Sequence, residues 1–115
     1  MIKNLYILAL SLIAIAIHAD NQQGLAYYKA GEPTIASQLF NKQLNASPAE
    51  QAEAFYYLGE IAFEAGKTSD ALAYYQKGWS ASSDYAYNKV GEGKVLLKTD
   101  KPAAQKAFDT AIKIN

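Results

Sequence analysis

Glu53, Tyr56, Glu60, Phe63 and Glu64 recur at intervals of three and four residues, the spacing that brings side chains onto one face of a helix. Three readings of that row are open. As an acid/base pair, Glu60 and Glu64 need unlike environments, with one carboxyl raised and the other left ionised, and the sequence offers no cavity or further group to split them. As a binding face, the rings supply contact area at low entropic cost and the carboxylates steer approach of a peptide carrying apolar side chains and Lys or Arg. As a solvated helix face, the row has no partner at all.

The rest of the chain narrows the chemistry. The single histidine, His18, lies in the first 19 residues, and no cysteine occurs anywhere in the 115. A chain from Asp20 onward therefore has neither His-assisted serine catalysis, nor Cys–His pairs, nor the usual zinc ligands, nor disulfides. We expect no cofactor, no metal and no catalysis.

The segment that holds His18 is unlike the remainder of the chain. Lys3 precedes an apolar run of 13 residues from Leu5 to Ile17, followed by His18, Ala19 and the polar stretch Asp20-Asn21-Gln22-Gln23. Thirteen residues are too few to span a hydrocarbon layer of about 30 Å, and the order basic, apolar, small is that of a secretory signal cut after Ala19. Ala14-Ile15-Ala16 offers a competing cut, and an uncleaved anchor is the alternative. Residues 1–19 are thus read as a signal peptide and the protein as exported, to the periplasm or cell envelope. Membrane contact is expected only through that segment if it is retained.

Removing Lys3 leaves 10 lysines against 11 acidic residues, a net charge of −1, so charge does not point to nucleic acid. The charges are segregated: residues 20–75 carry 3 lysines and 7 acids, residues 76–115 carry 7 lysines and 4 acids. Lys94, Lys98, Lys101, Lys106 and Lys113 could meet anionic lipid or an acidic partner, although such lysines usually serve solubility.

Helix signals alternate with short breakers, and no sustained period-two pattern predicts a strand. A first helix over about 21–30 carries Leu25, Tyr27 and Tyr28 and ends at Gly31, which adopts the left-handed cap conformation at little cost. Pro33 opens a second, expected to bury Ile35, Ala36, Leu39, Phe40 and Leu44. Ser47-Pro48-Ala49-Glu50 is a capping box that starts a third, running through Phe55, Leu58, Gly59, Ala62 and Phe63 to Gly66. Thr68-Ser69-Asp70 is expected to cap a fourth, with Ala71, Leu72, Tyr75 and Trp79. Ser82-Ser83-Asp84 is expected to start a fifth through Tyr87, Val90, Val95 and Leu96. Asp100-Lys101-Pro102 starts a sixth, with Ala104, Phe108, Ala111 and Ile112 inward.

Two of these hairpins repeat about 35 residues apart: Ala30-Gly31 with Ala36 and Phe40, then Ala65-Gly66 with Ala71 and Tyr75. A fixed period in this range marks stacked supersecondary units. The residues resemble the tetratricopeptide repeat, a helix-turn-helix of about 34 residues with small residues at fixed places and an aromatic residue in its second helix. The middle copy carries Leu58-Gly59, Ala62, Ala65-Gly66, Ala71, Tyr75 and Gly78. The first carries Gly24, Tyr27, Gly31, Ala36, Phe40 and Pro48. The third carries Gly91, Ala104, Phe108 and Ala111, with Lys98-Thr99-Asp100 where the turn glycine would be.

The resemblance implies an all-α fold in which residues 20–115 form three hairpin repeats, over roughly 20–48, 49–82 and 83–115, stacked as a short right-handed α-solenoid. It further implies that the first helix of each hairpin lines a concave, partner-binding face. That face would hold Leu25, Tyr28, Lys29, Glu53, Tyr56, Glu60, Phe63, Glu64, Tyr85, Asn88 and Glu92. Part of the family clamps a partner's C-terminal carboxylate; the corresponding positions here read Asn21, Leu25, Tyr57, Tyr85 and Lys89, and only Lys89 has the right charge, so the clamp is not carried over. The expected function is a non-catalytic protein-protein interaction scaffold of the cell envelope, its partner a protein or peptide. The alternative is a structural or oligomerising module with a passive concave face. Ile112 to Asn115 provide no polar capping helix, so the last hairpin is expected to self-associate or to be covered by further repeats.

Overall fold

The computed structural model describes residues 21–114, all of whose regular elements are helical. Residues 1–20, which include the segment read above as a signal peptide, and Asn115 lie outside the described residues. Helix α1 covers 21–29, α2 Pro33–Lys42, α3 Pro48–Glu64, α4 Thr68–Ala81, α5 Tyr87–Leu96 and α6 Lys101–Ile114, with a 3₁₀ turn at Gln43–Asn45.

Backbone hydrogen bonding explains the first two turns. Gly31 and Gly66 both have φ of 79°, and no other residue has positive φ among those described. At the first turn Gly31 N–H donates to the Tyr28 carbonyl at 3.1 Å and Glu32 N–H to that of Tyr27 at 2.9 Å. At the second, Gly66 donates to Phe63 at 3.0 Å and Lys67 to Ala62 at 2.9 Å. The same pair of bonds closes each helix end, and each needs a left-handed residue that a Cβ would penalise. The third turn closes without glycine: Thr99 and Asp100 N–H both reach the Leu96 carbonyl, at 3.0 and 2.8 Å.

The helix starts follow expectation in part. Pro33 stands in the first turn of α2, and the Ser47 hydroxyl accepts from Glu50 N–H at 3.4 Å at the start of α3. Asp100 accepts from Ala103 N–H at 3.1 Å to open α6. Thr68, Ser69 and Asp70 do not cap α4; they form its first turn behind Lys67, with Asp70 placed to interact with the positive end of the helix dipole. Nor does Ser82-Ser83-Asp84 begin α5. The chain turns there, with Ser82 N–H on Gly78 O at 3.1 Å and Tyr85 N–H on Ser82 O at 3.4 Å, and the helix begins only at Tyr87.

Consecutive helices pack as hairpins, α3 on α4 and α5 on α6, with α4 against α5 and α2 against α3 joining them. One arrangement recurs in each hairpin: an aromatic ring of the second helix lies flat on a glycine of the first. A Cβ built on Gly24 would come within 2.8 Å of Phe40, one on Gly59 within 2.6 Å of Tyr75, and one on Gly93 within 2.6 Å of Phe108. The third member is thus Gly93 and not Gly91 as expected; Gly91 instead backs the ring of Tyr75 from the neighbouring hairpin, where a Cβ would lie at 2.3 Å. Phe40 and Tyr75 are wholly buried, among Ala36, Ala54 and Leu58 in one cluster and Ala62 and Ala71 in the other. Ile35 and Ile112, both expected inside, are 39% and 71% exposed.

Candidate functional site

The face expected along the first helices is assembled by α1, α3 and α5. Leu25 packs half-buried against the Phe40 cluster, and Lys29 is exposed. The Tyr28 hydroxyl donates to Glu64, which removes one of the two expected rim carboxylates from free solution. Glu60 is engaged twice over. It accepts from the Tyr75 hydroxyl at 2.5 Å and from Lys94 Nζ at 2.7 Å, with the Lys94 ammonium also 4.6 Å from the centre of the Phe63 ring. Glu60 thus holds two donors and Glu64 one, and all three come from other helices, so these contacts fasten α3 to α1, α4 and α5.

Between these carboxylates and α5 runs a strip of tyrosines. Tyr56 is its centre, with ring centroids 5.1 Å from Tyr57, 5.9 Å from Tyr85 and 5.6 Å from Tyr87, while Tyr85 and Tyr87 lie 5.4 Å apart. Tyr57 continues inward, stacked on Phe40 at 5.1 Å and touching Tyr28 at 5.8 Å. Burial first, then Glu60 and the neighbouring tyrosines, push the Tyr56 hydroxyl up to about 12. Burial likewise raises Tyr28, Tyr57, Tyr75 and Tyr85, aided at Tyr28 and Tyr75 by their hydrogen bonds to Glu64 and Glu60. All five stay protonated at neutral pH and serve as donors and apolar surface, not as bases.

Two expected residues are not on this face. Asn88 is fully buried between α3 and α5, where its Nδ2 donates to the Ala52 carbonyl at 3.0 Å. Glu92 is paired with Lys89 at 2.9 Å, and Lys89 lies 4.9 Å from the Trp79 ring centre, on the α4 side of α5. The residues α5 does contribute are Tyr87, 59% exposed, Val90 and Lys94. Register explains the difference. Aligning Gly93 with Gly59 carries Glu53, Tyr56 and Glu60 onto Tyr87, Val90 and Lys94, whereas aligning on Gly91 shifts every position by two and turns the face into the core. The 16-residue glycine-to-aromatic interval of the first two hairpins, shortened by one residue from Gly93 to Phe108, was the signal available in the sequence.

Glu53 stands apart from the other two carboxylates. It lines a polar notch with Asn21, Gln22, Gln43, Ala49 and Glu50, and has no hydrogen-bond or ion-pair partner among the described residues. Burial, and then the charge of Glu50, push its carboxyl above the ordinary carboxylate range. The folded chain therefore holds this proton more tightly than the unfolded chain, and ionising it costs stability at neutral pH; the cost vanishes as pH falls below the unfolded value of about 4.3. Glu53→Gln is expected to melt above the wild type at pH 7 and to converge with it near pH 4 in thermal scans.

Among the described residues no group of three or more acidic, His or Cys side chains is placed to hold a metal, and no helix is long and apolar enough to cross a membrane. No protein-family model matches the chain, and no curated protein is significantly similar to it.

Proposed function

We propose that this is an exported, non-catalytic scaffold of the cell envelope, built from three tetratricopeptide-like hairpins stacked as a short right-handed α-solenoid, that binds a protein or peptide on the face formed by α1, α3 and α5. The observation that supports it is the tyrosine strip of Tyr56 and Tyr85, partly buried, and Tyr87, exposed, continuous across two hairpins. Aromatic side chains at a surface supply large contact area with few rotors to immobilise, and are the residues on which binding energy concentrates. Because Glu60 and Glu64 are satisfied internally, recognition rests on rings more than on those two charges. Crosslinking and mass spectrometry on the native envelope fraction test this. Partner crosslinks are expected to map beside Tyr56 and Tyr87 and to fall at least about tenfold with Tyr87→Ala, the effect of losing one mid-sized anchor. Crosslinks unchanged by Tyr87→Ala would remove the strip from the proposal.

One observation favours the oligomerising module as a second reading. Phe40 is covered on its outer side by Tyr57 of the next hairpin, and Tyr75 by the backbone at Gly91, but no described helix covers Phe108. A groove of about 530 Å³ opens there, lined by Tyr85, Ala86, Tyr87, Val90, Phe108, Ala111 and Ile112, with Asp84 as its one charged lining residue. If copies of the chain meet at that groove, sedimentation shows a concentration-dependent oligomer, and Ile112→Asp weakens it by about tenfold or more, since a charge is then buried in an apolar contact. A monomer at all concentrations discards the second reading.

A further inference from the structure

We infer that the groove between α5 and α6 seats an amphipathic α-helix of the partner protein, laid parallel to α5 with a small or flat residue against the Phe108 ring. The inference rests on the reading of this protein as a partner-binding scaffold, and it names the form of partner that the last hairpin takes.

The molecule itself supplies the template, because on each earlier hairpin it fills the corresponding groove with a helix of its own. On α3 and α4 lies α5. Its Asn88 sits so close to Gly78 that a Cβ there would be 2.4 Å from the amide nitrogen, its Gly91 backs the Tyr75 ring, and its Val95 packs on the Tyr75 cluster. On the first hairpin lies α3, with Ala54 and Ile61 in the Phe40 cluster and Tyr57 stacked on the Phe40 ring at 5.1 Å. Residues 54, 57 and 61 and residues 88, 91 and 95 share one spacing, i, i+3 and i+7, that of a helix presenting one face to a groove.

The open groove repeats the floor of the filled one. Phe108 and Ala111 stand three apart on α6 as Tyr75 and Gly78 do on α4, and Ala86 lines it as Ala52 lines the seat of Asn88. Asn88 reaches Ala52 and Lys94 reaches Glu60, so α5 runs the same way as α3, and a further helix in the series runs the same way as α5. Asp84, the groove's one charged lining residue, then lies at the N-terminal end of the docked helix, where a carboxylate is stabilising. The Cβ that Ala111 has and Gly78 lacks leaves no room for a residue as large as Asn88, so the occupant carries Ala or Gly at i, Gly or a ring at i+3, and Val or Ile at i+7. The first helix of a second copy does not match, because α1 has exposed Gln22 and Ala26 where α3 has Tyr57 and Ile61. Tyr85 and Tyr87 belong both to this groove and to the tyrosine strip, which makes the two one continuous surface.

The test adds to the full chain a fluorescent, hydrocarbon-stapled peptide of residues 48–64, a helical probe that carries the face of Ala54, Tyr57 and Ile61. Anisotropy is expected to rise saturably, with NMR shifts at Phe108 and Ala111. Ile61→Asp in the peptide is expected to weaken binding by about tenfold or more, because it buries a charge in an apolar contact. Val90→Asp and Ile112→Asp in the protein, at positions 40% and 71% exposed, are expected to do the same, while Leu97→Asp, 50% exposed and outside the groove, leaves affinity unchanged. Absence of saturable binding overturns the inference, as does binding indifferent to both groove variants. Self-association of the chain that excludes the peptide also overturns it, by giving the groove to a second copy. Those outcomes are distinct from failure of the wider reading: partner crosslinks that depend on Tyr87 while the groove ignores the helical probe leave the strip standing and remove only the docked helix.

Discussion

Tyr75→Ala is expected to lower folding stability by about 3–5 kcal/mol, the range for emptying a fully buried aromatic site. The ring is inaccessible to solvent and held on both sides by backbone, with Gly59 and Gly91 so close that a Cβ on either would lie 2.6 or 2.3 Å from it. Neither glycine has a side chain to collapse into the space, so the cavity persists and its cost is felt in full. Against a total of about 5–15 kcal/mol for a domain, the variant should be near the limit of folding. Urea unfolding measures this as a lowered midpoint with an unchanged slope.

The hydroxyl is separable from the ring. Tyr75→Phe keeps the packing and deletes only the bond to Glu60, whose carboxylate retains Lys94. A hydrogen bond to a charged group contributes about 1.5–3 kcal/mol, and the surviving ion pair puts the loss at the lower end. Equal losses for Phe and Ala would mean that the hydroxyl, and not the filled space between two hairpins, joins them.

Asn88→Asp is the second large effect, about 3–5 kcal/mol at pH 7, the cost of an uncompensated buried charge. Asn88 is wholly buried, its Nδ2 donates to Ala52 O at 3.0 Å, and Gly78 lies so close that a Cβ there would be 2.4 Å from the amide nitrogen. The carboxylate would replace that donor with an oxygen facing a carbonyl. Burial raises the pKa of that carboxyl above the unfolded value of about 3.9. Stability is lost as pH rises past the unfolded value and returns on acidification, when a protonated carboxyl again has a hydrogen to donate. Urea titrations at pH 7 and pH 4 test both magnitude and sign. An exposed Asn at this position would change by no more than about 0.5 kcal/mol, so the same measurement decides whether position 88 belongs to the core or to the face.

Helix content and turn chemistry were legible because they rest on local physics. Gly31 and Gly66 announce left-handed caps, Ser47-Pro48-Ala49-Glu50 a helix start, and Phe40 and Tyr75 the inward rings, each through residues within one or two turns of itself. The start of α5 was not legible. Ser82, Ser83 and Asp84 have the side chains of a cap, but the chain uses their backbone in a turn, and the choice depends on where α5 must sit for Asn88 to reach Ala52.

The candidate face divides in the same way. That Tyr56, Glu60, Phe63 and Glu64 share one side of α3 follows from a period of 3.6 residues alone. Which carboxylate remains available does not, because it turns on partners 15 to 36 residues away: Tyr75 and Lys94 on Glu60, Tyr28 on Glu64. Likewise α5 presents Tyr87 and Lys94 in place of Asn88 and Glu92 because its rotation is set by contacts with two helices at once, Gly91 against Tyr75 and Gly93 against Phe108. A helix's own sequence determines that it has faces and which residues share one. Which face meets solvent is decided by the neighbours it packs on, since only they determine which side of the helix loses its water.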